Sequence, residues 1–271
     1  MLDRPSPPTV APPLLSMHEV RKTFANGVLA LDGVTLTLPA EPQFLAVVGP
    51  SGCGKSTLLR IAAQLEAPSA GGVEWPGFDG RGERGGYGSN LSYVFQEPTL
   101  MPWASVYENV RLPLRIRGLP ASAVSERIHE VLARVGLKDF AQTYPRELSG
   151  GMRMRASVAR ALATEPRLLL MDEPFAALDE ITRAKLERDL LGLWLAAKFT
   201  AVFVTHSVFE AVFLGSRVVV MTPRPGRIAA DIAIDAPYPR TEEFRTSRAY
   251  IDRCREVSEA LARAMSEPAP C

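Results

Sequence analysis

Short apolar runs at residues 44–48, 168–171, 201–204 and 218–221 interrupt an otherwise mixed chain. Each is too short for a helix and is bounded by Gly, Pro or polar residues, so each reads as a strand covered on both faces, the mark of a parallel sheet. Helix-length stretches lie between them, at 55–65, 152–163 and 178–197, which gives the alternation of an α/β fold. Two earlier segments, 14–24 and 29–38, alternate apolar and polar positions as a half-exposed antiparallel layer does. From about Pro98 to Arg160 strand signals vanish and helical ones dominate, predicting a helical lobe inserted into the α/β core. Near the end, Phe244, Ile251, Cys254, Val257 or Ser258, Leu261 and Met265 recur at helical spacing, which predicts an amphipathic helix packed on that core.

Composition adds bounds. The chain has 271 residues, 46% hydrophobic and 23% charged, enough for one sizeable core. Its 31 Lys and Arg nearly balance 30 Asp and Glu, so no net field marks nucleic acid as a partner. The longest greasy stretch, 190–204, is broken by Lys198 and falls short of the roughly 18 apolar residues of a membrane helix. Any membrane association is therefore expected to run through a partner. Residues 1–13 carry five prolines and no apolar signal region, which predicts a disordered tail. Residues 77–90 carry six glycines and four charges and predict a surface loop. Cys53, Cys254 and Cys271 form no CxxC pair and are odd in number, as free thiols in a reducing compartment are.

Directly after the run 44–48 comes Gly49-Pro50-Ser51-Gly52-Cys53-Gly54-Lys55-Ser56-Thr57, then a helical stretch: a complete G-x-x-x-x-G-K-[ST] phosphate loop in its proper strand-to-helix context. Glycines let backbone N–H groups turn inward around phosphates, and the helix start adds partial positive charge there. Lys55 is placed to contact β- and γ-phosphates, and Ser56 offers a hydroxyl to Mg²⁺. Cys53, beside Lys55 and a helix start, is expected to have a lowered pKa, with Cys254 and Cys271 as accessible bystanders. A second apolar strand delivers Asp172 and Glu173 at its C-terminal end, where open α/β sheets place ligands. Asp172 suits the Mg²⁺ shell, and Glu173 suits polarising an attacking water. Farther upstream, Leu148-Ser149-Gly150-Gly151-Met152 exposes a hydroxyl and bare amides at another helix start, a second phosphate-binding terminus in one chain.

With that segment the chain resembles the ABC ATPase family, whose LSGGQ signature sits at this place and reaches the nucleotide of an opposing subunit. Further marks follow in order: Gln96 after a strand at 91–95, Ala177-Leu178-Asp179, and His206 after the run 201–204. Met152 stands where the commonest signature has Gln, and Ser207 where an acid often follows the histidine. The resemblance spans about residues 14 to 230. It implies a P-loop NTPase of RecA-like core with an antiparallel β layer and an inserted helical subdomain at about 98–160, within an ATPase domain at 14–240, followed by a C-terminal helix and tail at 241–271. It also implies ATP and Mg²⁺ as ligands, with Phe24 stacking on adenine and Gly49 through Thr57 around the phosphates. Ser56, Asp172 and Gln96 would hold the metal; Glu173, His206, Gln96 and Lys55 would serve catalysis; Ser149, Gly150, Gly151 and Asp179 would act across a dimer of two ATPase domains.

Glu97-Pro98-Thr99-Leu100-Met101-Pro102-Trp103 and the segment from Val218 to Ile228 look like the nitrate/sulfonate/taurine type of importer ATPase, a type that also serves thiamine-precursor pyrimidines. The implied setting is the cytoplasmic face of the cell membrane, with a separate permease and, indirectly, a solute-binding protein. The apolar stretch Leu100 to Trp103, directly after Gln96, fits a dock for a permease helix. A soluble ABC protein of translation or DNA repair would carry two such domains or a long coiled coil, and a non-hydrolysing regulator would lack Glu173 or His206. Neither pattern matches this chain.

Overall fold

The computed structural model describes residues 11–78 and 90–266. Most of the tail expected at 1–13, nearly all of the loop expected at 77–90, and Cys271 lie outside the described residues. In chain order the elements are β1 Leu15–Thr23, β2 Leu29–Leu38, β3 Phe44–Val48, α1 Lys55–Ala62, β4 Ala70–Glu74, β5 Leu91–Val94, α2 Val106–Ile116, α3 Ala121–Arg134, α4 Gly150–Leu162, β6 Leu168–Asp172, α5 Glu180–Ala197, β7 Thr200–Thr205, α6 Val208–Leu214, β8 Arg217–Met221, β9 Ile228–Ala233, α7 Glu242–Thr246 and α8 Arg248–Ser266. Strands β5-β6-β7-β3-β8 run parallel in that spatial order, and β9 closes the edge antiparallel to β8. A second sheet, β2-β1-β4, is antiparallel throughout.

The alternation of side chains along the parallel strands divides the core in two. Phe44, Ala46, Val48, Leu169, Met171, Ala201 and Phe203 face α5, α6 and α8. Leu45, Val47, Leu168, Leu170, Val202 and Val204 face α1 and the antiparallel layer. Both faces are covered, which is why these strands read as unbroken apolar runs. A third cluster joins α2, α3 and α4 through Val110, Leu114, Ile128, Leu132, Ala156 and Ala159. Helix α4 belongs to two clusters at once, since Met154, Val158 and Ala161 turn to the main core.

Several boundaries differ from the sequence reading. Helix α1 stops at Ala62, because Gln64 takes a left-handed backbone with φ 57. Helix α5 starts at Glu180 rather than Leu178, since Asp179 is its N-cap. The C-terminal segment is two helices, broken at Ser247 in extended conformation. Helix α8 buries Tyr250, Cys254, Val257, Ala260 and Ala264, so Cys254 and Val257 lie inside as expected, while Ile251 and Met265, also expected inside, are 49% and 57% exposed.

Arg240, 3% exposed, holds this region to the site. Its guanidinium donates to the carbonyls of Val212, Phe213, Gly215 and Ala236 and lies 4.1 Å from the Tyr238 ring centroid. Residues 212 and 213 belong to the last turn of α6, whose carbonyls have no donor inside the helix. Arg240→Met is expected to lower stability by about 3 kcal/mol, since several buried acceptors lose a charged donor together. Urea unfolding checks it; a loss below about 1 kcal/mol would contradict the anchoring role.

Candidate functional site

The loop between β3 and α1 is shaped by its glycines. Gly54, with φ 106, is the N-cap of α1, and a Cβ there would meet Leu31 Cδ2 at 2.7 Å and the Ala30 carbonyl at 2.8 Å. Only glycine satisfies both the left-handed backbone and the close approach. Lys55, 4% exposed, donates from Nζ to the carbonyls of Gly49 at 2.9 Å and Pro50 at 3.1 Å, and its Nζ lies 3.6 Å from Glu173 Oε1. The loop opens on a cavity of about 320 Å³ lined by Phe24, Gly52, Gly54, Lys55, Ser56, Thr57 and Glu173, with Arg224 at its rim. Phe24 offers an exposed aromatic face there, beyond the end of β1. The loop itself is also braced from outside: Arg224 donates twice to the Gly52 carbonyl, at 3.0 and 3.1 Å.

Strand β6 delivers the acidic pair. Ser56 Oγ donates to Asp172 Oδ1 at 2.8 Å, and Tyr93 donates from its hydroxyl to Asp172 Oδ2 at 3.1 Å. Burial, reinforced by the adjacent Asp172 carboxylate, pushes the Tyr93 phenol far up, so it stays a proton donor. The hydroxyl and carboxylate oxygens of Ser56 and Asp172 are the hard donors that Mg²⁺ prefers, usually alongside water and substrate phosphates, so this pair fits that ion. Glu173 has φ 45, a left-handed backbone rarely adopted by a long side chain. Its N–H is tied to the Val204 carbonyl at 3.0 Å, which holds the turn. The consequence is orientation: Glu173 Oε2 lies 3.3 Å from His206 Nδ1, while Oε1 faces Lys55.

Lys55, Ser56, Asp172, Glu173 and His206 are thus brought together from α1, β6 and the end of β7. Gln96 stands two residues past β5, exposed, with no side-chain hydrogen bond to Asp172 or Ser56 among the described residues. Ser149 and Gly150 are exposed at the start of α4 and do not line the cavity. Ser149 accepts the Met152 N–H at 3.2 Å as the helix N-cap. Gly151 is buried against α5, and a Cβ there would meet Thr182 Cγ2 at 2.7 Å. Asp179 caps α5, accepting the Thr182 N–H at 2.9 Å, and these hydrogen bonds lower its pKa.

The expectation for the thiols is overturned. Cys53 is 1% exposed, and burial raises its pKa more than Lys55 lowers it, so the thiol is neutral and packed under the loop. Cys254 is 6% exposed, also with a raised pKa, and is no accessible bystander. Proximity to a lysine and a helix start is legible in sequence; the desolvation that outweighs them is not. Tyr93 was missed in the sequence, and Arg224, inside the segment from Val218 to Ile228, was given no role there. Their contacts span 79 and 172 positions, and only β5 lying beside β6 pairs the first with its carboxylate.

Comparison with known proteins accords with this geometry. The ABC transporter family model matches residues 31–176. The chain is 46% identical over 222 residues to the aliphatic sulfonates import ATP-binding protein SsuB 1 of Mesorhizobium japonicum, covering 82% of this chain and 79% of that protein. It is 45% identical over 212 residues to the taurine import ATP-binding protein TauB of Rhizobium johnstonii, covering 78% and 79% respectively. Among solved structures, the ATP-binding cassette MJ0796, a dimer in a post-hydrolysis state bound to ADP and Pi, superposes with TM-score 0.70 at 31% identity, over 82% of this chain and all of that one.

Proposed function

This chain belongs to the ABC transporter family as an ATP-binding, ATP-hydrolysing domain, and on that premise we propose that it powers import of a small organosulfonate through a separate permease, working as a pair of copies. The sulfonate and taurine relatives favour that solute class over the nitrate and pyrimidine classes the type also serves. No helix among the described residues is long and apolar enough to cross a membrane, so the path for solute is assigned to the permease, supplied by a solute-binding protein.

In this reading Phe24 stacks on adenine and the amides of Gly49 to Thr57, with Lys55, bind the phosphates of ATP. Ser56, Asp172 and Gln96 hold Mg²⁺, which neutralises charge developing on the transferred phosphoryl group. Glu173 accepts a proton from the attacking water, and His206 holds that carboxylate while reaching the γ-phosphate. Ser149, Gly150, Gly151 and Asp179 serve the partner copy's nucleotide; the dimeric relative and the exposed position of Ser149, outside its own chain's cavity, support this.

One observation carries the link to a permease. Beside Gln96 lies a groove of about 330 Å³ lined by Phe95, Leu112, Pro113, Ile116 and Arg160, with Ile116 70% exposed and Trp103, nearby in sequence, 77% exposed. Tyr93 joins this groove to the metal residues: its ring packs 4.4 Å from that of Phe95, and its hydroxyl holds Asp172. Tyr93 thus lies between the groove and the Asp172 carboxylate. The tagged chain, recovered from detergent-solubilised membranes of its own host, is expected to bring down a multi-span membrane protein, and Ile116→Asp, folded by circular dichroism, to lose it at least about tenfold, a cost of order 1.4 kcal/mol. Recovery of the wild-type chain without such a protein would overturn the reading.

A further inference from the structure

Around His206 the side chains of Thr205, Ser207, Glu210 and Arg183 form a closed set that the reaction as described does not use. Thr205, 2% exposed at the end of β7, donates its hydroxyl proton to Glu210 Oε2 and accepts the Ser207 N–H at 3.0 Å. Ser207 Oγ in turn accepts the Glu210 N–H at 3.3 Å, capping α6. The residues on both sides of His206 are thereby tied to Glu210, Thr205 through its carboxylate and Ser207 through its backbone N–H and the Thr205 hydroxyl. Glu210, 6% exposed, has its other oxygen 3.4 Å from Arg183 Nε, and Arg183 Nη2 donates to the Leu178 carbonyl at 2.9 Å, one residue before Asp179. One helical turn along α5, buried Glu187 pairs with Arg245 of α7, whose guanidinium lies 3.6 Å from the Phe213 ring centroid of α6. Helix α5 is therefore tied to α6 by one carboxylate–guanidinium pair and to α7 by a second, whose guanidinium packs on an α6 ring.

A buried carboxylate is costly unless paired and hydrogen-bonded. Here the pairing is spent on the segment that carries an exposed, otherwise weakly held histidine. We propose that Glu210 is a positioning residue that, through Thr205, fixes His206 against Glu173. The proposal rests on the reading of His206 as a contact to the γ-phosphate.

The test compares steady-state ATP turnover and equilibrium ATP binding of the full chain with those of Glu210→Ala, Thr205→Val, Thr205→Ser and His206→Ala. Thr205→Val keeps the side-chain shape and removes the hydroxyl, so it serves if Glu210→Ala does not fold. Loss of the clamp is expected to lower kcat by about 10- to 100-fold, the scale of a misplacement of order 1 Å, with KM and Kd for ATP within about twofold of wild type. Thr205→Ser, which restores both hydrogen bonds, is expected to recover kcat to within about threefold of wild type. A kcat near wild type in both Glu210→Ala and Thr205→Val overturns the proposal, as does a Thr205→Ser variant as slow as Thr205→Val. If His206→Ala itself turns over at the wild-type rate, it is the assignment of the histidine that falls.

Discussion

Glu173→Gln is expected to leave ATP binding intact and to slow hydrolysis by about 10²–10⁴-fold, the usual range for loss of a general base. The substitution keeps the side chain's shape and hydrogen-bonding reach, so the arrangement beside Lys55 and His206 persists, but the amide cannot take a proton from water. Removing the negative charge 3.6 Å from Lys55 Nζ also frees that ammonium for the phosphates. Bound ATP should then hold two copies together. Gel filtration with ATP is expected to show a dimer for this variant. Turnover within a factor of a few of wild type, or no ATP-dependent dimer, would count against Glu173 as the base.

The second large effect concerns which copy completes each site. On the proposed shared site, a two-fold dimer with isologous contacts would bring each nucleotide to Lys55 of one copy and Ser149 of the other. A mixed dimer of Lys55→Ala with Ser149→Arg then gathers both defects in one site and leaves the other whole. If each chain built its own site, both would be broken. Turnover can require both sites, so the measurement is stoichiometric ATP occlusion. Up to one occluded ATP per mixed dimer is expected, and none in either mutant homodimer. Zero occlusion in the mixed dimer, with wild type occluding normally under the same trapping, would sink the shared site. Ser149 does not line the cavity beside Lys55 in its own chain, the arrangement the shared site requires.

Legibility in the sequence followed the range of the interactions concerned. Strands β3, β6, β7 and β8 were plain because burial on both faces demands an uninterrupted apolar run. Strand β9 was missed: Ile228 to Ala233 alternates half-buried and exposed positions at a sheet edge and resembles many loops. Strand β4, Ala70 to Glu74, begins Ala-Gly-Gly and owes its place to pairing with β1 rather than to β-propensity. In α8 the expected face held at Cys254, Val257 and Leu261 and failed at Ile251 and Met265, where Tyr250 and Ala264 are buried instead.

What the sequence determined by itself is whatever depends on neighbours in the chain: the glycine loop with Lys55 and Ser56, the Asp172-Glu173 pair ending an apolar strand, and Ser149 at a helix start. Backbone conformation and capping are set within a few residues, so their chemistry can be read in order. The tertiary structure decided what depends on distance and solvent. It set the left-handed turn that sends Glu173 between Lys55 and His206, the phenol of Tyr93 on Asp172, the brace of Arg224 on Gly52, and the neutral, buried state of Cys53. Charge, pKa and contact across a sheet arise from groups far apart in sequence and from the exclusion of water between them, and no local pattern encodes either.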